Sequence, residues 1–386
     1  MNQGMSRREF LWGSAVVGAS ALGLGGPGLL AAPPKSPSSP VSIAGCKAYD
    51  FKDVLGQLRT MMDHLGGLRK LVAGKTVCVK VNLTGNPRQK ALDLPASRTY
   101  HTHPHVVLAV ATLLEQAGAR RLRVVETTYQ KGPLEGLLKD AGWDLSALAA
   151  LSAKVEYEDT RNKGQGKRYH EVKVPGGGSL YPAYLLNHSY VDCDVYVSLA
   201  KLKNHATAGV TLSLKNNFGI TPTALYSQHE NNEESTSARV EVFHKGTVRP
   251  AEGVPQELAD TPRKPSQRVP RHTVDAVGIR PIDLAIIDGI ETVSGGEGPW
   301  LKLARQAPGL LLAGRNAVCT DAVATAVMGY DPTAAAGTGP FPGDNHLALA
   351  AALGLGTNKP DEIEVCGLPL KEARHPFRWE PATRND

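Results

Sequence analysis

The feature that most constrains the fold is an alternation of short apolar strands and helices, starting near residue 76 and resuming after one long interruption. Residues 76–83 (TVCVKVNL) are β-branched and apolar, the pattern of a buried strand. The spacing predicts a helix over 104–117, with Val106, Val110, Leu113, Leu114 and Ala117 on one stripe and Gly118 at its end. Pro104 suits the first helical position, which makes His103 the N-cap. Strands at 122–126 and 154–157 flank a short helix at 133–141. This β-α-β-α-β order predicts an α/β fold with a largely parallel sheet and flanking helices, in one unit or two lobes. Further strands are predicted at 194–200, 283–288, 310–313 and 362–366, and helices at 207–218, 317–328 and 346–353. Residues 161–178 read as a Gly/Lys-rich connection, and 228–272 as a long polar insertion or flap outside the core.

Composition supports this reading and narrows the function. With 41% hydrophobic and 5% aromatic residues, the chain has ample core for an α/β protein. A net charge of +6 from 43 basic and 37 acidic residues, interspersed, provides no basic arm for nucleic acid.

Residues 1–32 read as an export signal. Ser6-Arg7-Arg8-Glu9-Phe10-Leu11 precedes an Ala/Gly-rich apolar run, the pattern of a twin-arginine signal. The expected partner is the twin-arginine export machinery, the expected location periplasmic or secreted, and no stable membrane anchor is expected after cleavage. Residues 33–44 read as a Pro/Ser linker, leaving 45–386 as the α/β domain. Gly23-x-Gly25-x-x-Gly28 lies inside the signal with no strand before it, so it is not read as a dinucleotide loop. Five cysteines include no Cys-x-x-Cys, which argues against an iron–sulfur cluster.

Three polar clusters are candidates for chemistry. The first follows the strand at 194–200: Lys201, Lys203, Asn204 and His205, then Lys215 and Asn216. A strand end with a helix N-terminus would hold a carboxylate or phosphate, with Asn204 as cap; a solvated turn with surface lysines is the alternative. The second joins Lys80 and Asn82 to His101, His103 and His105, with Glu126 ending the next strand. The histidines offer a metal triad if extended, but Pro104 disperses them, leaving His103 as cap, anion ligand or proton carrier. Glu126 is a general base or a structural partner of Lys80. In the third, Asp288, Glu297 and Asp321 are candidate ligands of a divalent metal ion; alternatively Asp321 complements a helix dipole.

The order of these motifs resembles the family known as domain of unknown function 362. Lys80-Val81-Asn82, Thr102-His103-Pro104, Lys201-x-Lys203-x-His205, Thr211-Leu212-Ser213-Leu214-Lys215-Asn216, Asp288-Gly289-Ile290, Gly296-x-Gly298-Pro299 and Asp321-Ala322-Val323-Ala324 carry the resemblance across about 75–335. It implies one shared pocket but no settled reaction. Some members of that family carry ferredoxin-type cysteine motifs, absent here. A looser likeness to the lactate racemase N-terminal domain, which binds a nickel pincer cofactor, would place His205 and Lys215 where that group has a histidine and the cofactor-tethering lysine. The expected function is an enzyme acting on a small anionic ligand by isomerisation or proton abstraction, with His103, Glu126, His205 and Lys215 as the chemical groups; the alternative is a periplasmic binding protein without catalysis.

Overall fold

In the computed structural model, which describes residues 36–228, 232–250 and 252–378, eight strands form one central sheet. In chain order they are β1 (Val41–Gly45), β2 (Thr76–Lys80), β3 (Arg121–Glu126), β4 (Lys154–Asp159), β5 (Val195–Lys201), β6 (Leu284–Gly289), β7 (Leu310–Gly314) and β8 (Val365–Gly367). Their order in space is β8-β1-β7-β6-β5-β2-β3-β4. Only β7 runs against the rest, pairing antiparallel with β1 and β6. The largely parallel α/β sheet is therefore present, as a single sheet rather than two lobes.

Helices cover both faces, as parallel strands require. On one face lie α1 (Phe51–His64) and α2 (Pro104–Gln116). In α1, Val54, Leu58, Met61 and Met62 make the buried stripe, and the Asp50 carboxylate caps its first turn. On the other face lie α3 (Leu212–Asn216), α4 (Pro265–Ile279) and α5 (Ala317–Val327), together with a hairpin of Tyr169–Lys173 and Ala183–Asn187.

Four expectations are corrected. The stretch 33–44, read as linker, contributes most of β1, which sits inside the sheet between β8 and β7. The connection at 161–178 supplies a strand of the Tyr169–Asn187 hairpin. The insertion at 228–272 is not outside the core: Val242 and Phe243 are buried, as are Arg239 and Arg268, and α4 begins within it. The helix expected at 207–218 is instead a two-residue-per-strand hairpin, Asn204–His205 with Gly209–Val210, followed by α3. Gly209 at φ +82° turns that hairpin, and Leu212 enters α3 at φ +45°, so a continuous helix cannot form. The export signal expected at 1–32 lies outside the described residues. No helix among the described residues is long and apolar enough to cross a membrane.

Strand order places the site. From β2 the sheet grows outward through β3 and β4, then the chain returns to lay β5 on the other side of β2. Such a reversal opens a crevice at the carboxyl ends of the two strands, where open α/β sheets bind ligands.

Candidate functional site

A cavity of about 530 Å³ occupies that crevice. The end of β2 and the segment after it bring Lys80, Asn82 and Thr84; the end of β3 and the segment after it bring Glu126, Thr127 and Tyr129. The hairpin after β5 supplies His205 and Thr207, and α3 with the turn beyond it supplies Lys215, Asn216 and Phe218. Arg239, His244, Glu297 and Trp300 complete the wall. Of the residues singled out from sequence, Lys80, Asn82, Glu126, His205, Lys215, Asn216 and Glu297 meet here, whereas His103, Lys201, Lys203, Asn204, Asp288 and Asp321 do not line it.

Most of the buried cations are fully engaged within the protein. An ammonium has three protons to donate. Lys80 gives them to Glu126 Oε1 (2.8 Å), Asn216 Oδ1 (3.1 Å) and Val81 O (3.1 Å). Lys203 donates to Asn82 Oδ1 (2.9 Å), Tyr100 O (2.6 Å) and Glu297 O (3.0 Å). Lys201 donates to Asp288 Oδ2 (2.9 Å), the Tyr49 hydroxyl (2.8 Å) and Ser97 O (3.2 Å). Burial pulls the pKa of Lys80 and Lys201 down, and the Glu126 and Asp288 carboxylates push back. Asn216 accepts from Lys80 and Asn82 while its amide donates to Ser198 Oγ (3.1 Å). Asn204 caps no helix; it donates to the Tyr330 hydroxyl (3.1 Å). These side chains brace the crevice walls, because leaving any one unpaired in the interior costs several kcal/mol, roughly 3–5 for a broken ion pair.

His103 caps α2, its Nδ1 accepting from the His105 N–H (3.1 Å), while its ring stacks on Tyr49 at 3.6 Å. Its own N–H donates to Asp288 Oδ2 (3.0 Å), which ties it to the Lys201–Asp288 pair rather than to the cavity. Burial, with help from Lys201, lowers its pKa to about 3. His101 bonds Thr84 O and His105 bonds Tyr49 O, so the three rings diverge as Pro104 dictates.

The three carboxylates expected to share a metal serve three separate structures. Asp288 pairs with Lys201; Glu297 accepts from Ala206 N–H (2.9 Å) and from Trp300 Nε1–H (3.2 Å). Asp321 projects from α5 and accepts the Ser213 and Leu214 N–H groups (2.9 and 2.7 Å) at the start of α3. Asp321 therefore does complement a helix N-terminus, that of α3 rather than its own. Among the described residues no three His, Cys, Asp or Glu side chains gather to hold a metal ion.

Two groups on the wall are left open. Lys215 Nζ has no hydrogen bond or ion pair to any described residue; it sits 3.8 Å from the centre of the Phe218 ring. Burial brings its pKa down to about 7, Glu297 opposing the shift and Arg239 and Lys80 adding to it. His205 Nδ1 accepts from the N–H groups of Thr207 (3.2 Å) and Ala208 (3.3 Å). Those donors require a lone pair on Nδ1, so the neutral ring carries its proton on Nε2, which has no partner among the described residues. Burial and the nearby Lys215 hold the ring neutral. His205 in this tautomer donates a hydrogen bond and is not the base.

Arg239 and His244 were not anticipated, because they lie in the stretch read as a polar flap. Arg239 is fully buried and donates to Thr221 O (2.6 Å), Gly219 O (3.1 Å) and the Tyr129 hydroxyl (2.8 Å). All three partners are neutral and no carboxylate of a described residue is ion-paired with it, so Arg239 adds positive charge to a wall that also carries Glu126 and Glu297. The signal available in sequence was Val240, Val242 and Phe243, an apolar knot beside the arginine that a solvated flap does not need.

Comparison with known proteins agrees with the motif order. A thylakoid-associated protein of Synechocystis sp. is 28% identical over 296 residues, which cover 76% of this chain and 75% of that protein. The lactate racemase apoprotein of Thermoanaerobacterium thermosaccharolyticum superposes with a TM-score of 0.36 at 13% identity, covering 66% of this chain and 50% of that one. A Thermotoga maritima protein superposes with a TM-score of 0.37 at 10% identity, covering 71% and 57%. The chain thus spans about half the length of the solved structures it matches. Residues 77–326 match a domain of unknown function, DUF362, a span that includes every residue of the cavity wall, and the chain belongs to that family.

Proposed function

We propose that the protein is an exported enzyme that acts on a small anionic substrate by isomerisation or proton abstraction beside a carboxylate, with the Lys215 amine as the reacting group. The observation that carries this reading is the contrast among the lysines: Lys80, Lys201 and Lys203 each donate three hydrogen bonds internally, and Lys215 donates none to any described residue. A half-neutral amine at neutral pH suits proton transfer or nucleophilic attack. His205 Nε2–H and Arg239 supply the donors an anion needs, and a volume of about 530 Å³ falls in the range of small-ligand pockets. Export rests on the Arg7-Arg8 signal pattern, with the thylakoid association of the Synechocystis relative as support.

The test screens small carboxylates and phosphates for a rise in melting temperature, then follows by NMR in D2O the exchange of the C–H next to the acid group, or next to the carbonyl of a 2-oxo acid, in those that bind. Binding with exchange in the wild type, and loss of exchange in Lys215→Met, is the expected result. Binding with no exchange for any ligand would contradict catalysis and favour ligand capture alone; absence of binding by every anion would contradict the pocket itself.

A further inference from the structure

We propose that Lys215 forms a Schiff base with a small 2-oxo acid bound in the cavity. This rests on the reading above and names its substrate class. The argument is one of partners. A lysine becomes a nucleophile when the cost of burying its charge outweighs what stabilises it, here the Phe218 ring and the more distant Glu297. Lys215 is enclosed, stands over the Phe218 ring, and has no carboxylate of any described residue within ion-pair distance. Glu297, the wall carboxylate that acts on Lys215 electrostatically, is held by Ala206 N–H and Trp300 Nε1–H. The other wall carboxylate, Glu126, is bound by Lys80 and by the N–H groups of Leu83 and Thr127. Opposite demands meet on the ligand side. A carbonyl oxygen takes the unpartnered Nε2–H of His205, and a carboxylate takes guanidinium protons of Arg239, whose Nη1 and Nη2 each donate a single hydrogen bond within the protein. A phosphate or simple carboxylate would use the donors but leave the amine without a role; a carbonyl next to the carboxylate uses both.

The step is balanced without any further reactant. The neutral amine attacks the carbonyl carbon, a C–N bond forms, and both amine protons leave with the former carbonyl oxygen as water, giving the imine. Protonated from solvent, the imine withdraws electrons from the C–H on C3, the carbon on the far side of the former carbonyl from the carboxylate, which is the proton such a substrate would lose.

Pyruvate with cyanoborohydride traps the imine as one carboxyethyl group on the lysine. The full-length mature protein is treated near neutral pH and mapped by peptide mass spectrometry, with propionate, which lacks the carbonyl, as the binding control. The expected result is labelling of Lys215 at least about tenfold faster than of the exposed Lys154, because the free-amine fraction of Lys215 is far larger than that of an ordinary lysine, even after allowing for a weaker intrinsic nucleophile. Lys215→Arg should abolish the fast label; peptide mapping of the wild type decides the matter if that variant does not fold. Labelling of Lys215 no faster than Lys154, with a melting-temperature rise from propionate, overturns the Schiff base and leaves the anion site standing. Neither labelling nor stabilisation overturns both.

Discussion

Replacing Asp321 with Asn probes how α3, and with it Lys215, is held. Asp321 is fully buried, and burial raises its pKa to about 7 even though the N–H groups of Leu214 and Ser213 pull it down. In the unfolded chain it titrates near an ordinary aspartate value of about 3.9. Between those values the folded protein keeps a proton that the unfolded chain has lost. The stabilising contribution is therefore complete below the unfolded pKa and is lost as pH rises through the folded one, at about 1.4 kcal/mol per pH unit. From about pH 5 to about pH 8 the loss comes to roughly 2–3 kcal/mol. Asn does not titrate, so its stability lacks this slope. Its carbonyl can serve one of the two N–H groups at 2.9 and 2.7 Å, while its NH₂ faces the other, a cost of about 1–3 kcal/mol. Asp321→Asn should thus be less stable than wild type at the acid end, and the gap should close by about pH 8. Urea unfolding at both pH values, with m checked for constancy, measures the difference of differences. Parallel pH profiles for the two proteins would refute the reasoning, since Asp321 would then not be titrating in that window.

Other outcomes follow from the same contacts. Asp288→Ala strands Lys201 and should lower stability by about 3–5 kcal/mol in urea unfolding, while leaving the affinity for a small carboxylate in the cavity unchanged. Arg239→Met should weaken that affinity about tenfold or more by titration calorimetry, and Arg239→Lys should restore part of it, because charge rather than shape is what the anion reads. Gly209→Ala places a Cβ 2.6 Å from Pro340 O at φ +82°, so the hairpin bearing His205 should distort and the melting temperature fall by several degrees, about 1–2 kcal/mol.

The sheet was legible where strands were apolar and bounded by turn residues, as at β2, β3, β5 and β6. β1 was not, because VSIAG is five residues long and follows a Pro/Ser run that disguises it. α1 was overlooked because only Val54, Leu58, Met61 and Met62 carry its stripe among polar neighbours. At the site, sequence pointed to the right residue types but not to their availability. Whether a lysine is free depends on partners far along the chain: Lys80 on Glu126 and Asn216, Lys203 on Glu297, and α3 on Asp321 more than a hundred residues away. Neither spacing nor composition encodes those pairings. Arg239 was hidden for the complementary reason: its segment looks solvated until the core it packs into is known.

The account turns on Lys215 being an unpaired amine that is half neutral near physiological pH. Brief pulses of acetic anhydride at a series of pH values, with mass spectrometry of each lysine-bearing peptide, give its titration directly against the exposed Lys154. The expected Lys215 midpoint is at about 7, well below the ordinary lysine value of about 10.4. A Lys215 midpoint at that ordinary value would contradict the reading of Lys215 as the reacting amine.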